Sequence, residues 1–284
     1  MAAVWDVRPG EVAGMLTGAR STTVRVNRLH DDPPALDLAP VEWCTDAYYG
    51  TVDAALAHEG RVYLQNASSL IPVVALDPRP GQSIVDVAAA PGGKAFHIAA
   101  RVGNDCELWL NDAVKPRAEK LRALATLYRV KYAQLTTVPA QYLDKELPTG
   151  AFDRILLDVQ CSGEGRSDLR RSDALRYWSE ERIERYKYLQ TKMLDAGYRL
   201  LKPGGRMVYS TCTISPEENE YPVSQVLRRH AELDLVPLPF TEPNFRPGLT
   251  AWRDHRFDPR LAGATRVLPT EAYEGFFAAV LVKT

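Results

Sequence analysis

The sequence predicts an α/β protein: a mainly parallel sheet with helices on both faces, preceded by a small N-terminal appendage. Three observations carry this. From about Arg61 onward, short apolar runs alternate with longer segments of helical spacing. One run, Phe152 to Val159, is nearly continuous in apolar residues, as a strand covered on both faces should be. With 284 residues, 45% hydrophobic and 25% charged, the chain has the composition of an ordinary globular protein and room for one large domain plus an appendage.

The elements follow in order. Residues 1–60 differ in character from the rest: Thr22 to Val26 is β-prone and Asp31-Asp32-Pro33-Pro34 breaks regular structure, which predicts a small satellite layer. The main domain is expected over 61–284. Ile84 to Val87 reads as a strand running into Ala88-Ala89-Ala90-Pro91-Gly92-Gly93-Lys94, with a helix starting near Lys94. Leu108 to Leu110 is a second strand, ending at Asn111-Asp112. Lys115 to Tyr128 places Leu121, Leu124, Ala125 and Tyr128 at helical spacing, with Pro116 in the first turn. Tyr132 to Thr137 and Phe152 to Val159 are the third and fourth strands. Glu180 to Leu201 is a long amphipathic helix stopped by Lys202-Pro203-Gly204-Gly205, and Arg206 to Thr211 is a fifth strand. Pro216 to His230 reads as a helix capped by Ser215, and Phe276 to Lys283 closes the chain as a strand.

The formal net charge is −1, which offers no overall attraction for a polyanion, but basic residues cluster. Lys115 to Lys131 holds six basic residues and one acidic; Arg166 to Arg171 holds three arginines and one aspartate; Arg246 to Arg266 holds five arginines and two aspartates. No apolar run approaches the roughly 18 residues of a membrane span, and Met1 to Arg8 does not read as a secretory signal. The four cysteines, Cys44, Cys106, Cys161 and Cys212, form no Cys-x-x-Cys pair, so neither a metal site nor a disulfide framework is expected. A reducing compartment follows: the cytoplasm, or an organelle matrix in a eukaryote.

Every chemically distinctive group falls at the carboxyl end of an expected strand: the Gly-rich loop after the first, Asp112 after the second, Asp158 and Cys161 after the fourth, Cys212 after the fifth. In parallel sheets that edge is where ligands collect, so these groups should share one rim. A Gly-rich turn into a helix N-terminus, with an acidic residue ending the next strand, suits a nucleotide or adenosyl cofactor. The loop lacks both the Gly-x-Gly-x-x-Gly spacing of dinucleotide sites and the Gly-Lys-Ser/Thr ending of a phosphate loop.

Asp86-Val87-Ala88-Ala89-Ala90-Pro91-Gly92-Gly93-Lys94 resembles the cofactor motif of the Nol/Nop/Sun family of RNA 5-methylcytosine methyltransferases. The resemblance extends over residues 61–284. It includes Gln65-Asn66-Ala67-Ser68-Ser69, Asn111-Asp112 with Arg117, Asp158-Val159-Gln160-Cys161-Ser162-Gly163, Tyr209-Ser210-Thr211-Cys212-Thr213 followed by Glu217-Glu218-Asn219-Glu220, and Glu274-Gly275-Phe276-Phe277. It implies a Rossmann-like class I methyltransferase fold with a mainly parallel seven-stranded sheet. It implies that Asp112 binds the ribose of S-adenosylmethionine, that Ala89, Ala90, Pro91, Gly92, Gly93 and Lys94 hold its amino-acid end, and that Arg117 sits at the cofactor. Cys212 matches the nucleophile, Cys161 the residue needed for product release, and Asp158 a carboxylate at the target cytosine; Lys94 and Asp158 are expected at both the cofactor and the reacting groups. Gln160 stands where the family has a loop-shaping proline, Val138-Pro139-Ala140 replaces an aspartate near the adenine, and Ala88 stands where cysteine is common.

The chemistry needs such residues. Carbon 5 of cytosine is a poor nucleophile until a thiolate adds to carbon 6 and makes the ring an enamine. The thiol must therefore ionise readily, a carboxyl group should protonate or hydrogen-bond nitrogen 3, and a second ionisable group should help the adduct break down. Cys44 and Cys106 read as small buried hydrophobes. The target base must leave its stack, and Tyr177, Trp178, Trp252, Arg170, Arg171 and Arg253 are candidate RNA contacts. The implied substrate is RNA, ribosomal favoured over transfer RNA, met by a monomer with no membrane and with a possible protein partner for targeting. A methyltransferase-fold RNA-binding or assembly protein of weakened activity is the alternative, favoured by Gln160 and the altered third motif. A DNA cytosine methyltransferase would instead carry its nucleophile in a Pro-Cys motif after the fourth strand.

Overall fold

The computed structural model describes residues 1–5, 8–18, 20–176 and 178–284. Helices α1 (Ala2–Trp5) and α2 (Pro9–Thr17) precede a small antiparallel sheet. Its strands are β1 (Thr23–Val26), β2 (Ala39–Pro40), β3 (Ala47–Tyr49) and β4 (Val62–Gln65), in the order β2-β3-β1-β4, with helix α3 (Ala54–His58) between β3 and β4 in the chain. The strand expected near 22–26 is present and fully buried. Its partner β4 lies just past residue 60. Alternation of residue types can locate a strand but not the segment it pairs with.

Helix α4 (Ile71–Leu76) leads into the main alternation: β5 (Gln82–Asp86), α5 (Gly93–Arg101), β6 (Cys106–Asn111), α6 (Lys115–Leu127), β7 (Gln134–Thr136), β8 (Phe152–Asp158), α7 (Glu180–Leu200), β9 (Leu201–Thr211) and α8 (Glu220–Arg229). Short strands follow: β10 (Leu233–Val236), β11 (Phe245–Pro247), the β12 (Ala251–Trp252) and β13 (His255–Arg256) pair, and β14 (Thr265–Val267); β15 (Phe276–Lys283) closes the chain.

Among the described residues the central sheet has nine strands where seven were expected. Its path is β11-β14-β15-β9-β8-β5-β6-β7, with β10 also on β15. β5 to β9 run parallel, and β15 is antiparallel to β9. The surplus has a simple origin. β14 pairs with residues 276–278 and β10 with 280–283, so two short strands share one lane beside β15, and β11 adds an outer edge. The order reverses between β5 and β8, which opens the crevice of a doubly wound sheet at their carboxyl ends.

Alternate side chains of each central strand face opposite layers. Ile155, Leu157, Met207, Tyr209 and Phe277 pack with Leu194, Leu200, Val223 and Val226 of α7 and α8. Ile84, Leu156, Val208 and Val280 pack with Val73, Phe96, Ile98 and Leu121 of α4, α5 and α6. Two boundaries differ from expectation. Residues 201–205 belong to β9 rather than to a loop, with Leu201 paired to Phe152. α8 begins at Glu220, a turn later than Pro216, and Ser215 does not cap it. The Ser215 hydroxyl bonds Glu217, while Asn219 is tied to Thr211 Oγ1 at 2.5 Å and to the Thr213 carbonyl at 3.1 Å, which holds the preceding turn against β9.

Candidate active site

The carboxyl ends of β5, β8 and β9 open into a cavity of about 1130 Å³. Ala89, Ala90, Pro91, Gly93, Lys94, Arg117, Asp158, Cys161 and Cys212 all line it. Gly92 and Asp112, expected at the same rim, are not among the lining residues. Gly92 has φ +117°, and a Cβ there would lie 2.3 Å from the Phe96 ring, so the turn into α5 requires glycine. A Cβ on Gly93 would meet the Tyr63 ring at 3.0 Å, so β4 packs closely against the loop at this position. Asp112 is 2% exposed. Its Oδ1 accepts from Val114 N at 3.0 Å, and Oδ2 has no hydrogen-bond partner but lies 3.4 Å from the Arg117 guanidinium. Arg117 also donates to the Ala90 carbonyl at 2.6 Å, joining the Gly-rich loop to the end of β6. A buried carboxylate oxygen with spare accepting capacity beside a glycine cradle fits a ribose and amino-acid ligand.

The two cysteines meet. Cys161 Sγ lies 3.3 Å from Cys212 Sγ, although 51 residues separate them. The shared proton and the positive charge of Arg166 lower the pKa of Cys212 below the usual thiol range; Cys161 is pushed well above it, first by its hydrogen bond to Cys212 and then by burial. Arg166 is held by Glu274 at 3.6 Å. Asp158 Oδ2 contacts Lys94 Nζ at 2.7 Å, and its Oδ1 accepts from Ser210 Oγ at 2.7 Å. Burial opposes the Lys94 charge, but the Asp158 carboxylate outweighs it and raises the Lys94 pKa. Asp86 is pushed up to about 7 by burial. Cys44 and Cys106 are raised to about 11 by burial and lie outside the cavity, consistent with their reading as hydrophobes.

Residues 73–282 match the family described as 16S rRNA methyltransferase RsmB/F. The chain belongs to the RsmB/F family. It is 36% identical over 269 residues to ribosomal RNA small subunit methyltransferase F of Klebsiella pneumoniae, covering 89% of this chain and 53% of that protein. The protein of the same description from an Escherichia coli strain is 34% identical over 268 residues, with the same coverage. The chain thus spans about half the length of the curated relatives it matches. Among solved structures, a methyltransferase homolog protein from Pyrococcus horikoshii superposes with a TM-score of 0.82 at 29% identity, over 96% of this chain and 90% of that one. NSun6 from Pyrococcus horikoshii, solved with SFG, gives a TM-score of 0.67 at 28% identity, over 84% and 58%. The Nol/Nop/Sun resemblance and the Rossmann-like class I methyltransferase fold are borne out.

In this RsmB/F member the candidate RNA contacts divide. Arg171 lines the cysteine cavity, paired with Asp173 at 3.0 Å. Arg170 is paired with Asp168 at 2.7 Å. Trp178, Trp252 and Arg253 line a different, smaller cavity of about 360 Å³, where the indole nitrogens bond Glu164 and Glu217. Trp178, Trp252 and Arg253 thus lie apart from the main cavity, and Tyr177 lies outside the described residues. Sequence reasoning missed Arg166 as the partner of Cys212, because a charge run does not say which of its members turns inward. It also missed Gln190, fully buried on the face of α7 that carries Ile183 and Leu194. A glutamine on an otherwise apolar face was the available signal.

Proposed function

We propose that this chain methylates carbon 5 of a cytosine in small-subunit ribosomal RNA, using S-adenosylmethionine and a covalent bond between Cys212 and carbon 6. The observation that carries the proposal is the pairing of Cys161 with Cys212 at 3.3 Å, in a cavity that also holds the Gly-rich loop and the Lys94–Asp158 pair. Family membership and the names of the relatives support the RNA and the methyl transfer. Asp112, Arg117 and residues 89–94 would hold S-adenosylmethionine, which supplies an electrophilic methyl group when bound.

Cys212, as thiolate, adds to carbon 6 of the flipped cytosine while a proton passes from the Lys94 ammonium through the Asp158 carboxylate to nitrogen 3. Electron density moves to carbon 5, which becomes the nucleophile. Once Cys212 is bonded to carbon its negative charge is gone, which removes the largest of the influences that keep Cys161 protonated and leaves burial as the main one. When carbon 5 carries the methyl group, Cys161, having lost its own proton to solvent, takes the proton from carbon 5, directly or through water. The carbon–sulfur bond breaks with return of its electron pair to Cys212, and the proton on nitrogen 3 returns to the Asp158–Lys94 pair. Of the two departures that favour a scaffold of weakened activity, Gln160 would act by displacing Cys161, and the 3.3 Å sulfur separation argues against that; the altered third motif at Val138-Pro139-Ala140 bears on cofactor affinity, which the cofactor-binding arm of the test reads.

The test uses purified protein, methyl-labelled S-adenosylmethionine and small ribosomal subunits or deproteinised 16S rRNA, followed by digestion to nucleosides. Label is expected in 5-methylcytidine. Label in another nucleoside, or none while the cofactor binds, would overturn the reading.

A further inference from the structure

Cys161 sits in an extended loop between β8 and a short 3₁₀ turn at Glu164–Arg166, where no ladder of backbone hydrogen bonds fixes it. Its two neighbours are nevertheless held from outside. Gln190 Nε2, on α7, donates to the Gln160 carbonyl at 2.9 Å. Glu218, in the turn before α8, accepts from Ser162 N at 3.1 Å and from the Ser162 hydroxyl. The two holding groups are themselves joined, Gln190 Nε2 donating to Glu218 Oε2 at 3.0 Å. Both Gln190 and Glu218 are 0% exposed, and neither lines the cysteine cavity.

We propose that Gln190 and Glu218 form a clamp that positions Cys161, fixing its sulfur against Cys212 by gripping the backbone on either side of it. A fully buried amide and carboxylate that bond each other and the two flanks of one residue constitute a network whose members have little freedom to move separately. The clamp reaches Cys161 through the peptides at 160 and 162, so its members are positioning residues rather than reacting ones. Glu218 is anchored in turn: Tyr209 Oη, on β9, donates to its carbonyl at 2.5 Å. The same strand delivers Cys212, so the clamp references one cysteine loop to the strand that carries the other. At position 160 the hold is on the backbone carbonyl and does not involve the Gln160 side chain.

The purpose of the clamp rests on the proposed reaction, but its test reads the thiols directly. The variants are Gln190→Met, which keeps length and removes both bonds, and Glu218→Gln, which keeps shape but sets an amide nitrogen against a donor whichever way it turns; the second carries the test if the first does not fold. Three measurements are made on each: the pH dependence of Cys212 alkylation, the rate at which diamide closes a Cys161–Cys212 disulfide, and the dissociation constant for S-adenosylmethionine. Expected are an alkylation midpoint moved up toward that of an ordinary thiol, disulfide closure slower by about tenfold or more, and cofactor affinity within about twofold of the parent. With RNA, kcat should fall while KM stays near the parent value. A folded variant whose alkylation midpoint and closure rate both match the parent overturns the clamp. Altered thiols in a parent protein that transfers no methyl group would leave the clamp standing and remove the reaction instead.

Discussion

The sulfur of Cys161 stands 3.3 Å from that of Cys212, with the Arg166 charge acting on Cys212 and the Lys94–Asp158 pair in the same cavity. Two thiols at that distance share a proton unequally. The one beside the guanidinium takes the charge and the other keeps the hydrogen, and this asymmetry separates their roles.

Replacing Cys212 by Ala removes the nucleophile. Methyl transfer should fall by at least about a thousandfold, as expected when a covalent route is lost. Cys161→Ala leaves attack possible but slows release, so a protein–RNA adduct should accumulate and survive denaturing electrophoresis. An adduct formed equally well by Cys212→Ala would reverse the two assignments.

The lowered pKa of Cys212 has a direct pH consequence. A thiol reacts as its thiolate, so alkylation by iodoacetamide should persist below the ordinary midpoint of about 8.5 and decline only at more acidic pH. Cys161→Ala removes the donor that stabilises the thiolate, and the midpoint should move up. Peptide mapping separates this signal from Cys44 and Cys106, whose thiols, raised to about 11, stay protonated and slow at neutral pH.

Asp112→Ala deletes the buried carboxylate whose Oδ2 has no hydrogen-bond partner. Loss of charge-assisted bonds to a ribose should cost about 1.5–3 kcal/mol, roughly a 10- to 150-fold increase in Kd for S-adenosylmethionine. Calorimetry should show the fold retained, with thermal stability lowered by loss of the contacts to Val114 and Arg117. An unaltered Kd would mean that another group holds the ribose.

Stability has a separate keystone. Arg266 and Glu220 form a bidentate pair with 2% and 0% exposure, and Arg266 also donates to the Ile214 carbonyl at 2.9 Å, just beyond the Cys212 strand end. Removing one partner strands a buried charge. Arg266→Met should destabilise the fold by about 3–5 kcal/mol in denaturant unfolding. Glu220→Gln should cost a comparable amount, and the double variant less than the sum of the two.

The sequence by itself determined the alternation of strands and helices, the positions of the Gly-rich loop, Asp112, Asp158, Cys161 and Cys212 at strand ends, and hence that these groups would gather at one edge of the sheet. Those properties are local: they depend on residue periodicity and on turn chemistry within a few positions. Only the tertiary structure decided which segments pair and which side chains meet. It placed β10 and β14 end to end beside β15, started α8 at Glu220 because Asn219 is bonded back to β9, and sent Trp178 and Trp252 to a separate cavity. It also brought Arg166 to Cys212 and closed Gln190 and Glu218 around Cys161. Each of these contacts joins residues more than a helical turn apart, and its energy depends on burial and distance that no single stretch of chain encodes.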